Sequence, residues 1–140
     1  MADENFVDAL AQLSFLVQNA LAEIAGRHDL SLIQTRLLGV LRDHQPTMQD
    51  LGRHLGLDKS SISGLVDRAE RRGLVTRTPS ASDRRVVLVS ITEDGLRLAR
   101  QGAAEFAERI ESFAAGLSED DRRALTVLAQ RLIPRTAPSA

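Results

Sequence analysis

A mainly α-helical domain with one small β-hairpin is written into these 140 residues: a winged helix-turn-helix flanked by N- and C-terminal helical arms. Three observations predict it. Apolar residues recur at three- and four-residue spacings over most of the chain. Two short, capped segments meet at Gly56-Leu57 in the middle of the sequence. The period then changes to alternation over only two runs, "LVTRT" and "VVLVSI", which is what one hairpin needs. The length suits a single domain over residues 1–140 rather than two independent cores.

The first helix covers residues 5–26, where Phe6, Leu10, Leu13, Val17, Ala20, Leu21 and Ile24 form a stripe that Val7, Ala9, Phe15 and Leu16 broaden beyond one face. A helix apolar on more than one side has more than one neighbour. Gly26 and "RHD" close it. Ser31 and Gln34 have the spacing of a capping box and open a second helix, which Pro46 stops. Thr47 with Asp50 caps a third, buried through Leu51 and Leu55, and Asp58 caps a fourth that ends at Gly73. The hairpin spans 74–91, its strands joined by "PSASDRR". Thr92 precedes two acids that suit the first turn of a long helix. Ser118 with Asp121 caps a last helix that ends before Pro134, so the C-terminal helical arm covers 93–133. The winged helix-turn-helix unit is then 31–92, and 134–140 is a frayed tail.

Composition narrows the function. The chain has no cysteine, which excludes a disulfide framework, a thiolate metal site and a thiol switch. No apolar run reaches the roughly 20 residues of a membrane span. The acidic start, "MADENFVDAL", lacks the basic region of a secretory signal; the expected location is the cytoplasm. Lys59 is the only lysine, an arginine bias that suits a GC-rich bacterial genome. Net charge is −1, yet residues 48–92 hold eight basic residues (Arg53, Lys59, Arg68, Arg71, Arg72, Arg77, Arg84, Arg85) against five acids. A basic middle between acidic ends points to a local anionic partner.

The fourth helix carries the most specific pattern. At about 100° per residue, Ile62, Leu65, Val66 and Ala69 fall on one stripe. Opposite them lie Ser60, Gly64, Asp67, Arg68 and Arg71, flanked by Ser61 and Ser63. "KSSISG" is a poor choice for a helix that needs only to be stable, but a slim hydroxyl-rich surface can approach base edges closely. The helix N-terminus, with Lys59 beside it, suits a phosphate oxygen. A free acid facing DNA would repel it, so Asp67 is expected to pair with Arg71, or to hold Arg68.

On the hairpin that follows, Arg84 and Arg85 are expected to reach the adjacent minor groove, whose negative potential over A·T-rich steps attracts arginine. Asp83 is close enough to pair with Arg85, or with Arg77 on the preceding strand, and so to support the wing.

These segments resemble the MarR family of bacterial transcriptional regulators. The likeness is carried by Leu65-Val66-Asp67-Arg68, Arg72-Gly73-Leu74-Val75, Arg77, Asp83-Arg84-Arg85 and Ile91-Thr92, with "LSLIQTRLLGVL" similar to the family's second helix. Ala69 and Ile91 each stand where leucine is usual. The resemblance implies a homodimer whose terminal helices interleave, and one recognition helix per half of a palindromic operator in double-stranded DNA. It also implies a repressor released by a small-molecule effector, whose binding residues the sequence leaves unknown. Phe6, Phe15, Phe106 and Phe113 read as core, and His28, His44 and His54, which lack metal-ligand spacing, as surface or capping residues. No catalytic motif, metal site or cofactor site is expected. A winged-helix module that contacts protein without specific DNA binding is the alternative, and salt-dependent DNA affinity separates the two.

Overall fold

The computed structural model describes residues 3–134, so of the expected tail only Pro134 falls within it and 135–140 lie outside the described residues. The element order is α1 (Glu4–Arg27), α2 (Leu32–Leu41), α3 (Met48–Leu55), α4 (Lys59–Arg71), β1 (Val75–Pro79), β2 (Val87–Ile91), α5 (Glu93–Ala114) and α6 (Glu119–Leu132).

Local chemistry sets most of these boundaries. The Asp3 carboxylate accepts from the backbone N–H groups of Asn5 and Phe6 and starts α1. Reciprocal capping boxes, Ser31 with Gln34 and Ser118 with Asp121, start α2 and α6. Thr47 accepts from the Asp50 N–H at 3.1 Å, but the Asp50 carboxylate turns to Arg53 at 3.5 Å instead of closing a box. Gly56 (φ 69°) ends α3 and Gly73 (φ 75°) follows α4, both in the left-handed region that a side chain disfavours.

The core lies under the helix-turn-helix. Leu37 and Leu41 of α2, Leu51 of α3, Leu65 and Val66 of α4, Val75 of β1 and Val89 of β2 are all buried together. Each such side chain gains about 1.5–3 kcal/mol on leaving water. Strands β1 and β2 pair antiparallel, with Val75 opposite Ile91 and Arg77 opposite Val89. A further bridge joins Thr47 to Leu88, and the Val89 N–H donates to the Pro46 carbonyl at 2.9 Å. Helix α2 ends at Leu41, five residues before Pro46, so the proline does not stop it; instead the proline fastens the base of the hairpin to the start of α3.

The arms behave differently along their length. The C-terminal end of α1 packs on α5 through Ala20, Ile24 and Ala25, and ion pairs Arg27–Glu105 and Arg109–Glu23, both 3.4 Å, join the two helices. The N-terminal part does not share this burial. Phe6 (54% exposed) and Phe15 (63%) are not core in the single chain, while Phe106 and Phe113 are partly buried. The correction has a plain cause: α1 carries more apolar surface than α2 and α5 can cover. Helix α6 buries no residue, leaving Leu125, Val127, Leu128 and Leu132 in solvent. Among the described residues no helix is long and apolar enough to cross a membrane.

Candidate nucleic-acid interface

Helix α4 lies with Ile62, Leu65, Val66 and Ala69 buried and the opposite face open. Its start is built by Asp58, whose carboxylate accepts from the Ser61 N–H at 2.8 Å and the Ser60 hydroxyl at 3.0 Å. The Ser61 amide above all, and then the Ser61 and Ser60 hydroxyls, hold the Asp58 carboxyl below its ordinary value of 3.8. The Ser60 hydroxyl thus already donates within the cap and offers a ligand its acceptor lone pairs. Lys59, Ser60 and Ser61 are exposed around this cap; Ser63 and Gly64 are half-covered one turn on.

Gly64 has a specific neighbour. A Cβ built there would meet Arg68 Nη1 at 3.2 Å. The guanidinium of Arg68 therefore lies back over the glycine, and any side chain at 64 would displace it. Arg71 is exposed at the last turn of the same helix.

The acid on this face is neutralised from outside the helix. Asp67 pairs with neither Arg71 nor Arg68 but with Arg77 of β1, whose Nη1 donates to Asp67 Oδ1 at 2.6 Å and to Glu70 Oε1 at 3.1 Å. Arg77 Nη2 also donates to the Ser63 carbonyl at 3.2 Å, and the Arg77 N–H to Glu70 Oε2 at 3.3 Å. One strand residue thus grips α4 at three positions along its length and sets the hairpin against it. A partner on the next element is a better solution than an i,i+4 pair, because among the described residues it leaves Arg68 and Arg71 without an acid.

At the far end of the hairpin the Asp83 carbonyl accepts from the Val86 N–H at 3.0 Å, closing a turn with Arg84 and Arg85 at its two central positions. The Asp83 carboxylate accepts from the Arg85 N–H at 3.1 Å and from Arg85 Nε at 3.3 Å, so of its two expected partners it takes Arg85. Both arginines are exposed, the Arg85 side chain by 92%. Asp83 rigidifies the tip without covering it.

Between α3, α4 and the hairpin runs an open groove of about 950 Å³ that brings together Lys59, Ser63 and Arg77 with Gln49 and Arg53 of α3. Neither Gln49 nor Arg53 is among the contact residues expected from the sequence, where Arg53 counts only toward the basic balance of residues 48–92. Their four-residue spacing, on the side of α3 away from Leu51 and Leu55, was the available signal. Arg84 and Arg85 stand apart from this groove, and Arg85 borders a separate depression at the start of α3 with Thr47 and Asp50.

A second cavity, about 240 Å³ and almost wholly apolar, lies between α1, α2 and α5, walled by Ile24, Leu38, Leu98 and Phe106 with His28 and Arg36 among its polar lining. Of the histidines, His28 caps the C-terminus of α1, His44 is half-covered and His54 exposed. Among the described residues no three His, Cys, Asp or Glu side chains are grouped to hold a metal.

Known proteins share this arrangement. A model of the MarR family matches residues 28–86. The transcriptional repressor NicR of Pseudomonas putida is 35% identical over 106 residues, 74% of this chain and 66% of that protein. The transcriptional regulator MhqR of Bacillus subtilis is 31% identical over 108 residues, 76% of this chain and 74% of that protein. Among solved structures, CouR of Rhodococcus jostii bound to p-coumaroyl-CoA superposes with a TM-score of 0.79 at 26% identity, covering 95% of this chain and 94% of that one. With the helix-turn-helix, hairpin and helical arms in the same order, the family model matching from α2 through β1, and MhqR 31% identical over 74% of its length, this chain belongs to the MarR family of winged helix-turn-helix transcriptional regulators.

Proposed function

We propose that the protein acts as a cytoplasmic homodimer that represses transcription by binding a palindromic operator and is released by a small molecule. Lys59, Ser60, Ser61, Ser63, Gly64, Arg68 and Arg71 enter the major groove on α4; Arg84 and Arg85 enter the flanking minor groove, with Asp83 and Arg77 as supports. The observation that carries this reading is the Arg77 grip. It neutralises Asp67 on the open face of α4 while holding the hairpin so that two exposed arginines stand beyond the helix. A protein built only for solubility gains nothing from that coupling.

The dimer is supported by the uncovered apolar surface, which lies on the N-terminal part of α1 and on α6, the two ends of the chain. A self-complementary patch of this kind closes in a two-fold pair. The pair then offers two reading helices to half-sites one helical turn apart. The effector is assigned to the apolar cavity between α1, α2 and α5, where the arms meet the winged unit. NicR, named a repressor, and CouR, solved with an acyl-CoA, support the two halves of this reading.

The test is Arg85→Ala, compared with the parent on duplexes that share a core site and differ in their flanks. Weaker binding, most at A·T-rich flanks and with a salt slope lower by about 1, is expected, with the dimer intact. Unchanged affinity on every flank would remove the wing from the interface.

A further inference from the structure

Helix α4 is held at its C-terminal end by a contact that the reading face does not require. Arg72, its C-cap residue, donates from Nη1 to the Asp29 carbonyl at 2.8 Å and from Nη2 to the His28 carbonyl at 3.1 Å. The acceptors are consecutive carbonyls in the turn that leaves α1. That turn is tightly specified: the Leu30 N–H donates to the Ala25 carbonyl at 2.9 Å and the Asp29 N–H to the Gly26 carbonyl at 3.3 Å. Asp29 sits at φ 55°, a left-handed backbone that an aspartate adopts only against a steric cost. Among the described residues Arg72 makes no ion pair with an acid, so its guanidinium is committed to these two carbonyls.

The same turn faces the apolar cavity. His28 lines it, and His28 Nε2 lies 3.0 Å from Glu105 Oε1 on α5. This two-residue stretch is therefore tied on one side to α5, through His28 and Glu105, and on the other to the end of the recognition helix. Apolar side chains between helices can slide past one another, but a planar fork on two fixed carbonyls transmits displacement or breaks.

We propose that the His28–Asp29 turn is the coupling element between the cavity and α4, with Arg72 as the positioning residue that carries a shift of the turn to the recognition helix. The proposal rests on the reading of α4 as the DNA-reading helix and of the cavity as the effector site. An occupant that parts α1 from α5 must move His28 or break its contact with Glu105. Arg72 then draws the C-terminal end of α4 with the turn, tilting the face that carries Arg68 and Arg71.

The experiment uses a covalent wedge as the occupant. Gly102 lines the cavity, and a Cβ there would sit 3.9 Å from Ile24 Cγ2, an ordinary contact, so Gly102→Leu adds apolar volume at the cavity lining with no clash at its Cβ. Ala103→Leu takes its place if that variant does not fold. Affinity for a duplex selected on the parent protein, and hydrogen exchange of the α4 amides, are measured for the wedge, for Arg72→Ala and for the double variant. The wedge is expected to lower affinity about tenfold or more, within the usual range of allosteric coupling, and to speed exchange in α4. In the Arg72→Ala background the wedge effect should shrink to about twofold, the non-additivity expected of coupled sites. Arg72→Lys should fall well short of the parent, because one nitrogen on a flexible stem replaces the two nitrogens of a rigid planar fork; full coupling in Lys would reduce Arg72 to a charge at a helix terminus. Equal wedge effects with and without Arg72, or a wedge that leaves both readouts unmoved, overturn the proposal. If no variant, the parent included, binds any duplex specifically, the DNA-reading proposal fails, and the exchange data still decide this one.

Discussion

Replacing Arg77 by alanine removes the side chain that joins β1 to α4 and exposes Asp67 on the reading face. The Asp67 and Glu70 carboxylates are 50% and 41% exposed, so water screens both ion pairs and each contributes at most about 0.2–1 kcal/mol. The bond to the Ser63 carbonyl is part-buried and has a charged donor, and at 3.2 Å it contributes about 1.5 kcal/mol net, the low end for such bonds. Together they come to about 2 kcal/mol, or about a 1 M lower urea midpoint at a slope of 2 kcal/mol per M. Because a dimer's stability depends on concentration, parent and variant must be melted at one protomer concentration. The effect on DNA affinity should exceed what stability implies, since Asp67 is left as an unpaired negative charge facing phosphates. Asp67→Asn on top of Arg77→Ala should therefore recover part of the affinity and little of the stability. Urea titration and fluorescence anisotropy on a labelled operator read the two quantities separately. A midpoint that moves by less than about 0.3 M, a third of the expected shift, or an affinity that Asp67→Asn leaves unchanged, would refute the reasoning.

Gly95→Ala should cost about 1–3 kcal/mol or more by overpacking, because a Cβ there lies inside van der Waals contact of the Leu74 carbonyl and 2.8 Å from Ile91 Cγ1; an unchanged melting temperature would mean that α5 is free to back away. Leu128→Glu, at a position 53% exposed in the single chain, should shift the mass in solution toward the 15.3 kDa protomer, as sedimentation would show, and an intact dimer would exclude α6 from the interface. Asp58 adds a pH dependence of known sign. Its carboxyl titrates below its unfolded value, so the stability it contributes is complete at neutral pH and is lost as pH falls through the acid range below 3.8. Melting curves of Asp58→Asn should show a shallower loss on the acid side than the parent, and parallel curves would contradict the cap's role.

What could be read from sequence was mostly local. The capping residues Ser31, Asp58, Thr92 and Ser118 act on amides three positions away, so their spacing alone announced the helix starts. The buried stripe of α4 followed from helical period, and the turn around Arg84 and Arg85 from its flanking alternation. Partners brought together by folding were not legible in this way. Asp67 finds Arg77 ten residues on only because β1 folds back along α4, and an i,i+4 rule has no access to that. The Arg72 fork on the α1 exit spans more than forty residues and leaves no periodic trace. Phe6 and Phe15 look like core residues by composition. Their exposure reflects a limit of the single chain, which has too little surface of its own to cover two sides of α1.

The most direct test of the account is a selection of random duplexes on the purified protein, read at two salt concentrations. The account predicts an enriched inverted repeat with half-site centres about 10 base pairs apart, bound less tightly as salt rises. Binding that ignores sequence, or an enriched single half-site without a repeat, would contradict a dimer reading DNA through α4.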